Sequence, residues 1–209
     1  MKRVYFVRHG EAEGNSEKIF KQADAALTER GHKQSQFLAE RFNALQPTAL
    51  LSGPVKRTLE TAQHFNDALG LSVEKYDGFG PIKFASSMIG KSKTGPEALH
   101  YFTQIKETYK NRDAHFEDAE NYTDLHTRIK SNMEMLASHL EDTIVVITHE
   151  SLIKSILIFV LHQGGYTPLE NIDFKNAVSS MSNTGLTSFI YTNNTWQLET
   201  WNDHAHFAE

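Results

Sequence analysis

The sequence has no cysteine, which excludes a disulfide framework, a thiolate nucleophile and any metal centre held by sulfur. It also lacks an excess of positive charge. Lysine and arginine number 21 against 26 aspartates and glutamates, a formal net charge of -5, so the chain as a whole has no pull toward nucleic acid or anionic lipid. Any phosphate site must therefore be local. Long hydrophobic runs are missing too: the stretch Ile153 to Leu161 contains Lys154 and Ser155 and falls short of the roughly 20 residues that span a bilayer. After Met1-Lys2-Arg3 the apolar run is only Val4 to Val7, too short for a secretory leader, so the cytoplasm is the expected compartment. Repeats and low-complexity tracts are absent.

What is present is an ordinary globular composition. With 209 residues, 39% hydrophobic and 22% charged, residues 1–209 fit a single domain with a real core rather than a disordered chain. Val4 to Val7 reads as a strand buried on both faces, ending in Arg8-His9-Gly10-Glu11. A helix with Thr28 as N-cap follows, its apolar positions Phe37, Leu38, Phe42 and Leu45 at helical spacing. Thr48 to Ser52 is a second strand. The next helix has Pro54 in its first turn, a stripe of Leu59, Ala62, Phe65 and Leu69, and Gly70 at its end. Leu71 to Tyr76 is a third strand, and the region from about 77 to 120, rich in Gly, Lys and Ser at its start, reads as an inserted cap. Within and beyond it, Leu99, Phe102, Ile105 and Tyr109 mark one helix and Leu125, Ile129, Met133 and Leu136 another. Thr143 to Thr148 is the clearest buried strand, running into His149-Glu150 and a helix to His162. Gly185 to Tyr191 and Trp196 to Trp201, joined through Asn193-Asn194, form a hairpin. Strands alternating with helices predict an α/β three-layer sandwich: a mostly parallel central sheet, helices on both faces and the small cap.

Ligands of such sheets sit beyond the carboxyl ends of the strands, and two of these ends carry histidines. Taken alone, Arg8-His9-Gly10-Glu11 could be a plain turn. Its place just past a buried strand, with a planar guanidinium beside an imidazole that is neutral near pH 7, suits an anionic substrate and makes His9 a candidate covalent nucleophile toward phosphorus. Gly10 is read as letting a ligand approach the backbone.

Val7-Arg8-His9-Gly10-Glu11 followed by Asn15 resembles the signature of the histidine phosphatase superfamily, the phosphoglycerate mutase-like proteins. Further segments agree in order: Leu27-Thr28-Glu29-Arg30-Gly31 with Gln34, Ser52-Gly53-Pro54-Val55-Lys56-Arg57 with Thr61-Ala62, Glu120 with Asp124 and Arg128, Val145 to His149, and Asn202 with His206-Phe207. The resemblance implies that His9 becomes phosphorylated, that Arg8, Arg57 and His149 surround the phosphate, and that Asn15 donates to it or steadies its loop. No metal or other cofactor is expected, because these groups suffice to position the phosphoryl group and neutralise its oxygens. The expected activity is metal-independent hydrolysis of phosphomonoesters, of the histidine acid phosphatase kind. The alternatives are a phosphoglycerate mutase-type phosphotransferase, or a binding module with weakened catalysis. The partner is a small phosphorylated molecule or a phosphoprotein, not nucleic acid or membrane.

The general acid is where the sequence departs from the resemblance. Relatives usually carry a glutamate shortly after the third strand, where this chain reads Tyr76-Asp77-Gly78-Phe79-Gly80-Pro81. A different branch, containing acid phosphatases and phytases, places an acidic donor directly after the second histidine, where Glu150 stands here. Glu150, Asp77 and Glu74 are the candidates. Glu150 could equally be a carboxylate that merely suits a helix N-terminus. Asp203-His204-Ala205-His206 invites a metal-site reading, but the family's ending accounts for His206 and terminal histidines are usually solvated. Lys83, Lys91 and Lys93 could meet a second negative group on the substrate or could be ordinary surface lysines.

Overall fold

The computed structural model describes residues 1–14, 18–20, 25–108, 110–207. Six strands form one sheet in the order β3-β2-β4-β1-β5-β6: β1 (Lys2–Arg8), β2 (Ala49–Ser52), β3 (Val73–Lys75), β4 (Thr143–Thr148), β5 (Leu186–Thr192) and β6 (Thr195–Asp203). The first four run parallel, and β5 and β6 pair antiparallel at the β1 edge. Since β1 and β4 lie at the centre, both of their faces are covered, which is why each reads as an unbroken apolar run.

Alternate residues of these strands feed two cores. On one face Tyr5, Val7, Val145 and Ile147 pack against α1 (Glu29–Phe42) and α2 (Lys56–Leu69) through Leu38, Phe42, Ala62 and Phe65. On the other, Val4, Phe6, Ile144 and Val146 meet α4 (Tyr122–Ser138) and α5 (Glu150–Leu161) through Leu125, Ile129, Leu152 and Ile156. The result is the three-layer α/β sandwich expected. Apart from these layers, Phe20, Ala85, Met88, Ala98, Tyr101 and Ala119 build a small separate core beneath α3 (Pro96–Thr108).

Local chemistry explains most boundaries. The Thr28 hydroxyl accepts from the Gly31 N–H and starts α1, and Gly70 ends α2 in the left-handed conformation at φ 69°. Asn193 and Asn194 both take positive φ, 51° and 59°, as a two-residue hairpin turn requires. Three expectations need correction. Pro54 precedes α2, which starts at Lys56 after the N-cap Val55. Phe37 is 57% exposed, so it lies off the buried stripe of α1, and Leu99 and Phe102 are 70% and 43% exposed because α3 turns Ala98 and Tyr101 inward instead. Tyr109, assigned to the same stripe, lies outside the described residues. One helix, α6 (Pro168–Ala177), was not anticipated, although its capping box is plain: Thr167 accepts from the Glu170 N–H and Glu170 accepts from the Thr167 N–H. Among the described residues no helix is long and apolar enough to cross a membrane.

Candidate active site

All four parallel strands deliver a candidate residue at their carboxyl ends. β1 leads into His9, β2 through Gly53-Pro54 to Arg57, β3 to Asp77 and β4 to His149. The backbone ladder runs one residue past the strands and ties these exits together: His9 N–H donates to Thr148 O at 3.0 Å, Gly53 N–H to Ile147 O at 3.0 Å and Tyr76 N–H to Ser52 O at 2.9 Å. Side chains sprouting from such fixed backbone are held in register with one another.

His9 is 5% exposed and its Nδ1 lies 2.7 Å from Gly10 O. A carbonyl only accepts, so Nδ1 carries the proton and the lone pair belongs to Nε2. The His9 carbonyl in turn accepts from the Asn183 side-chain amide at 3.1 Å. The His149 ring stands 5.2 Å from the His9 ring, centroid to centroid, at 64°. Gly10 has a different reason to be glycine from the one expected. A Cβ there would sit 2.5 Å from Gly31 O and 2.7 Å from Ser35 Oγ, so the demand comes from the close approach of α1 rather than from a ligand.

Arg57, in the first turn of α2, is 4% exposed, and burial pulls its pKa down to about 10, still protonated at neutral pH. Burial also lowers the pKa of Arg8, opposed by the adjacent Glu150 carboxylate. Glu150 has both oxygens engaged: Oε2 is 3.1 Å from Arg8 Nη1, while Oε1 is 3.1 Å from Lys154 Nζ and accepts from the Met181 N–H at 3.2 Å. Arg8 Nη1 donates to Met181 O as well. Lys154 and Met181 carried no signal in the sequence beyond the i, i+4 spacing of Glu150 and Lys154.

Asp77 opens a short turn, Asp77–Phe79, that is pinned from below. Arg128 Nη1 donates to Gly78 O at 2.9 Å and Gly80 O at 3.0 Å, and its Nε and Nη2 each reach Glu120 at 2.7 Å. Asn132 donates to Gly78 O at 2.8 Å and Thr148 Oγ1 to Phe79 O at 2.7 Å. The Glu120 and Arg128 pair singled out in the sequence thus holds the turn that carries Asp77. Glu74 is an exposed β3 residue paired in register with Leu51 and does not line the cavity described next.

Arg8, His9, Arg57, Asp77, His149 and Glu150 line one cavity of about 610 Å³, whose lining also includes Ile82, Phe84, Ile89 and Lys93. Of the candidates for this site, Asn15 lies outside the described residues. A second cavity of about 490 Å³ shares Asp77, Pro81 and Lys83 with the first. At the C-terminus His206 Nε2 is 2.9 Å from Thr184 Oγ1, joining the chain end to the loop beside His9. Among the described residues no three metal-ligating side chains gather around one point.

The family model described as histidine phosphatase superfamily (branch 1) matches residues 4–204. A probable phosphoglycerate mutase GpmB of Enterobacter sp. (strain 638) is 39% identical over 74 residues, 35% of this chain and 34% of that protein, so the match spans about a third of the length of the first curated relatives. Phosphoserine phosphatase 1 of Hydrogenobacter thermophilus is 28% identical over 153 residues, 71% of each chain. The structure of phosphoserine phosphatase from Entamoeba histolytica in complex with 3-phosphoglyceric acid superposes with a TM-score of 0.79 at 23% identity, covering 99% of both chains. At that identity the likeness speaks for the fold.

Proposed function

Because the chain belongs to the histidine phosphatase superfamily (branch 1), we propose that it hydrolyses small phosphomonoesters through a phosphohistidine at His9. The observation that carries this reading is the His9 imidazole, buried at a strand end with Nδ1–H committed to Gly10 O, in one cavity with Arg57 and His149. Phosphoryl transfer asks the protein chiefly to position groups and balance charge. Arg8, Arg57 and His149 supply that balance without a metal, and the similarity to a phosphoserine phosphatase over 71% of the chain favours water over a second alcohol as the final acceptor.

In the first step the His9 Nε2 lone pair forms a bond to phosphorus as the ester P–O bond breaks, and the leaving alkoxide takes a proton from a carboxyl group. In the second, water attacks the phosphohistidine, gives a proton back to that carboxylate, and releases inorganic phosphate. A group that donates this proton needs an oxygen facing the leaving group. Both Glu150 oxygens face Arg8, Lys154 and the Met181 N–H. The acid is therefore Asp77, on its pinned turn lining the cavity, and Glu150 is the anchor of Arg8. Residues 77–120 serve as the cap that closes over the leaving group.

Phosphate release from a panel of alkyl phosphates in the presence of EDTA tests the reading. The wild-type chain turns over at least one of them, and His9→Ala abolishes turnover while retaining the wild-type unfolding transition. Full activity in His9→Ala, or activity lost to EDTA alone, contradicts it.

A further inference from the structure

Two lysines that the phosphate machinery does not use, Lys83 and Lys93, also line the cavity, and Lys93 is the one without an ion-pair partner among the described residues. Lys93 reaches the cavity from the segment preceding α3, and its backbone is zipped onto the chain after the His9 loop. Lys93 N–H donates to Lys18 O at 2.6 Å, Phe20 N–H to Lys91 O at 2.9 Å and Gly90 N–H to Phe20 O at 2.8 Å, with an antiparallel bridge between Ile19 and Ser92. Above this ribbon the ammonium rests over two aromatic faces, 5.7 Å from the Phe20 centroid and 5.6 Å from that of Phe84. Those rings meet edge to face at 5.0 Å, and Phe20 is fully buried in the small core under α3. Packing thus places the Phe20 ring on which the ammonium rests.

Lys93 differs from the other lysines of this segment. Lys83 is paired with Asp118 at 3.3 Å and Lys91 with Glu97 at 3.4 Å, whereas among the described residues Lys93 has no ion-pair partner. Lys93 is an exposed residue. Nonetheless, crowding by protein atoms lowers its pKa, Arg57 and Arg8 add repulsion, and Glu150 opposes them. An ammonium set in a cavity already holding two guanidinium groups gains most from a further anion. On the phosphatase reading the phosphate binds at the strand ends with Arg8, Arg57 and His149, which leaves Lys93 for an anion on the leaving part of the substrate. Ile82, Phe84 and Ile89 leave that part an apolar flank rather than a field of hydrogen-bond donors.

We infer that Lys93 is a specificity-determining residue whose ammonium, seated over Phe20 and Phe84, binds a second anionic group on the leaving portion of the substrate. The substrates it selects are short phosphomonoesters carrying a carboxylate or a second phosphate. This rests on the phosphatase reading above, and the test separates the two. Initial rates are measured with glycerol 3-phosphate, with 3-phosphoglycerate, which replaces its terminal hydroxymethyl group by a carboxylate, and with propane-1,3-diol bisphosphate. The wild-type chain favours one or both anionic substrates. Lys93→Met, which keeps the stem and removes the charge, lowers kcat/KM on the favoured anionic substrate at least about tenfold more than on glycerol 3-phosphate. The loss falls in KM, and Lys93→Arg restores much of it. The carboxylate and bisphosphate arms report which anion is recognised. Equal losses on charged and uncharged leaving groups, or no loss on the anionic ones, overturn the assignment of Lys93. Absence of turnover on all three substrates by the wild-type chain, together with no phosphate release from the wider panel, would instead remove the phosphatase reading itself.

Discussion

Two carboxylates are candidates for one task at this site, and from their surroundings we propose different roles for them. Asp77 is an exposed residue lining the cavity, while Glu150 is bound by Arg8, Lys154 and the Met181 N–H. Asp77→Asn should slow hydrolysis of alkyl phosphates by the roughly 10²–10⁴-fold typical of general acid catalysis, with little loss on aryl phosphates whose leaving groups need no proton. Glu150→Gln keeps the shape but weakens the hold on Arg8, so both substrate types should lose rate together and phosphate should bind less tightly. Paired assays on an alkyl and an aryl phosphate read the difference. A loss confined to alkyl phosphates in Glu150→Gln, with Asp77→Asn unaffected, would return the acid to Glu150.

The elements act as carriers for these groups. The turn bearing Asp77 has little regular structure of its own and depends on α4, through Arg128 and Asn132. Arg128→Met removes four hydrogen bonds, two of them within the partly buried pair with Glu120. It should cost about 2–4 kcal/mol of stability in urea unfolding and reproduce the alkyl-selective defect in milder form. A stable variant with unchanged alkyl-phosphate rates would show that the turn holds itself. Much of this was legible in the sequence: both histidines, both arginines and the Glu120–Arg128 stretch meet around the Asp77 turn and its cavity. Capping chemistry at Thr28 and Gly70 marked helix ends because it is local. What escaped depends on tertiary context. Leu99 and Phe102 form as good a helical stripe as Ala98 and Tyr101, and only the tertiary core of Phe20, Ala85, Met88 and Ala119 shows which face turns inward. α6 has a mixed surface with few buried residues, so its apolar pattern was faint and only the capping box at Thr167 announced it. The engagement of Glu150 by Met181 joins residues 31 apart in sequence, beyond any spacing rule.

For the whole molecule, two histidines tie stability to pH with a definite sign. Burial, helped by Arg41, lowers the pKa of His206 to about 4, and burial with neighbouring His32 lowers that of His64. Both are kept neutral by the fold and take up protons more readily when unfolded, so stability present near neutrality is lost as the pH falls from about 6.5 toward about 4. Partial exposure limits the His206 share to the order of 1–2 kcal/mol. Asp203, held low by Arg41, contributes its loss only below that window. Urea unfolding across this range should show the decline, and His206→Gln should flatten it; stability that rises on acidification would contradict the assignment. The central claim, a covalent intermediate on His9, is tested most directly by mixing the chain with radiolabelled phosphomonoester, quenching in alkali and mapping the label. The account predicts an acid-labile, alkali-stable phosphoryl group on His9, formed within one turnover and absent from His9→Ala. Label on any other residue, or its persistence in His9→Ala, would contradict it.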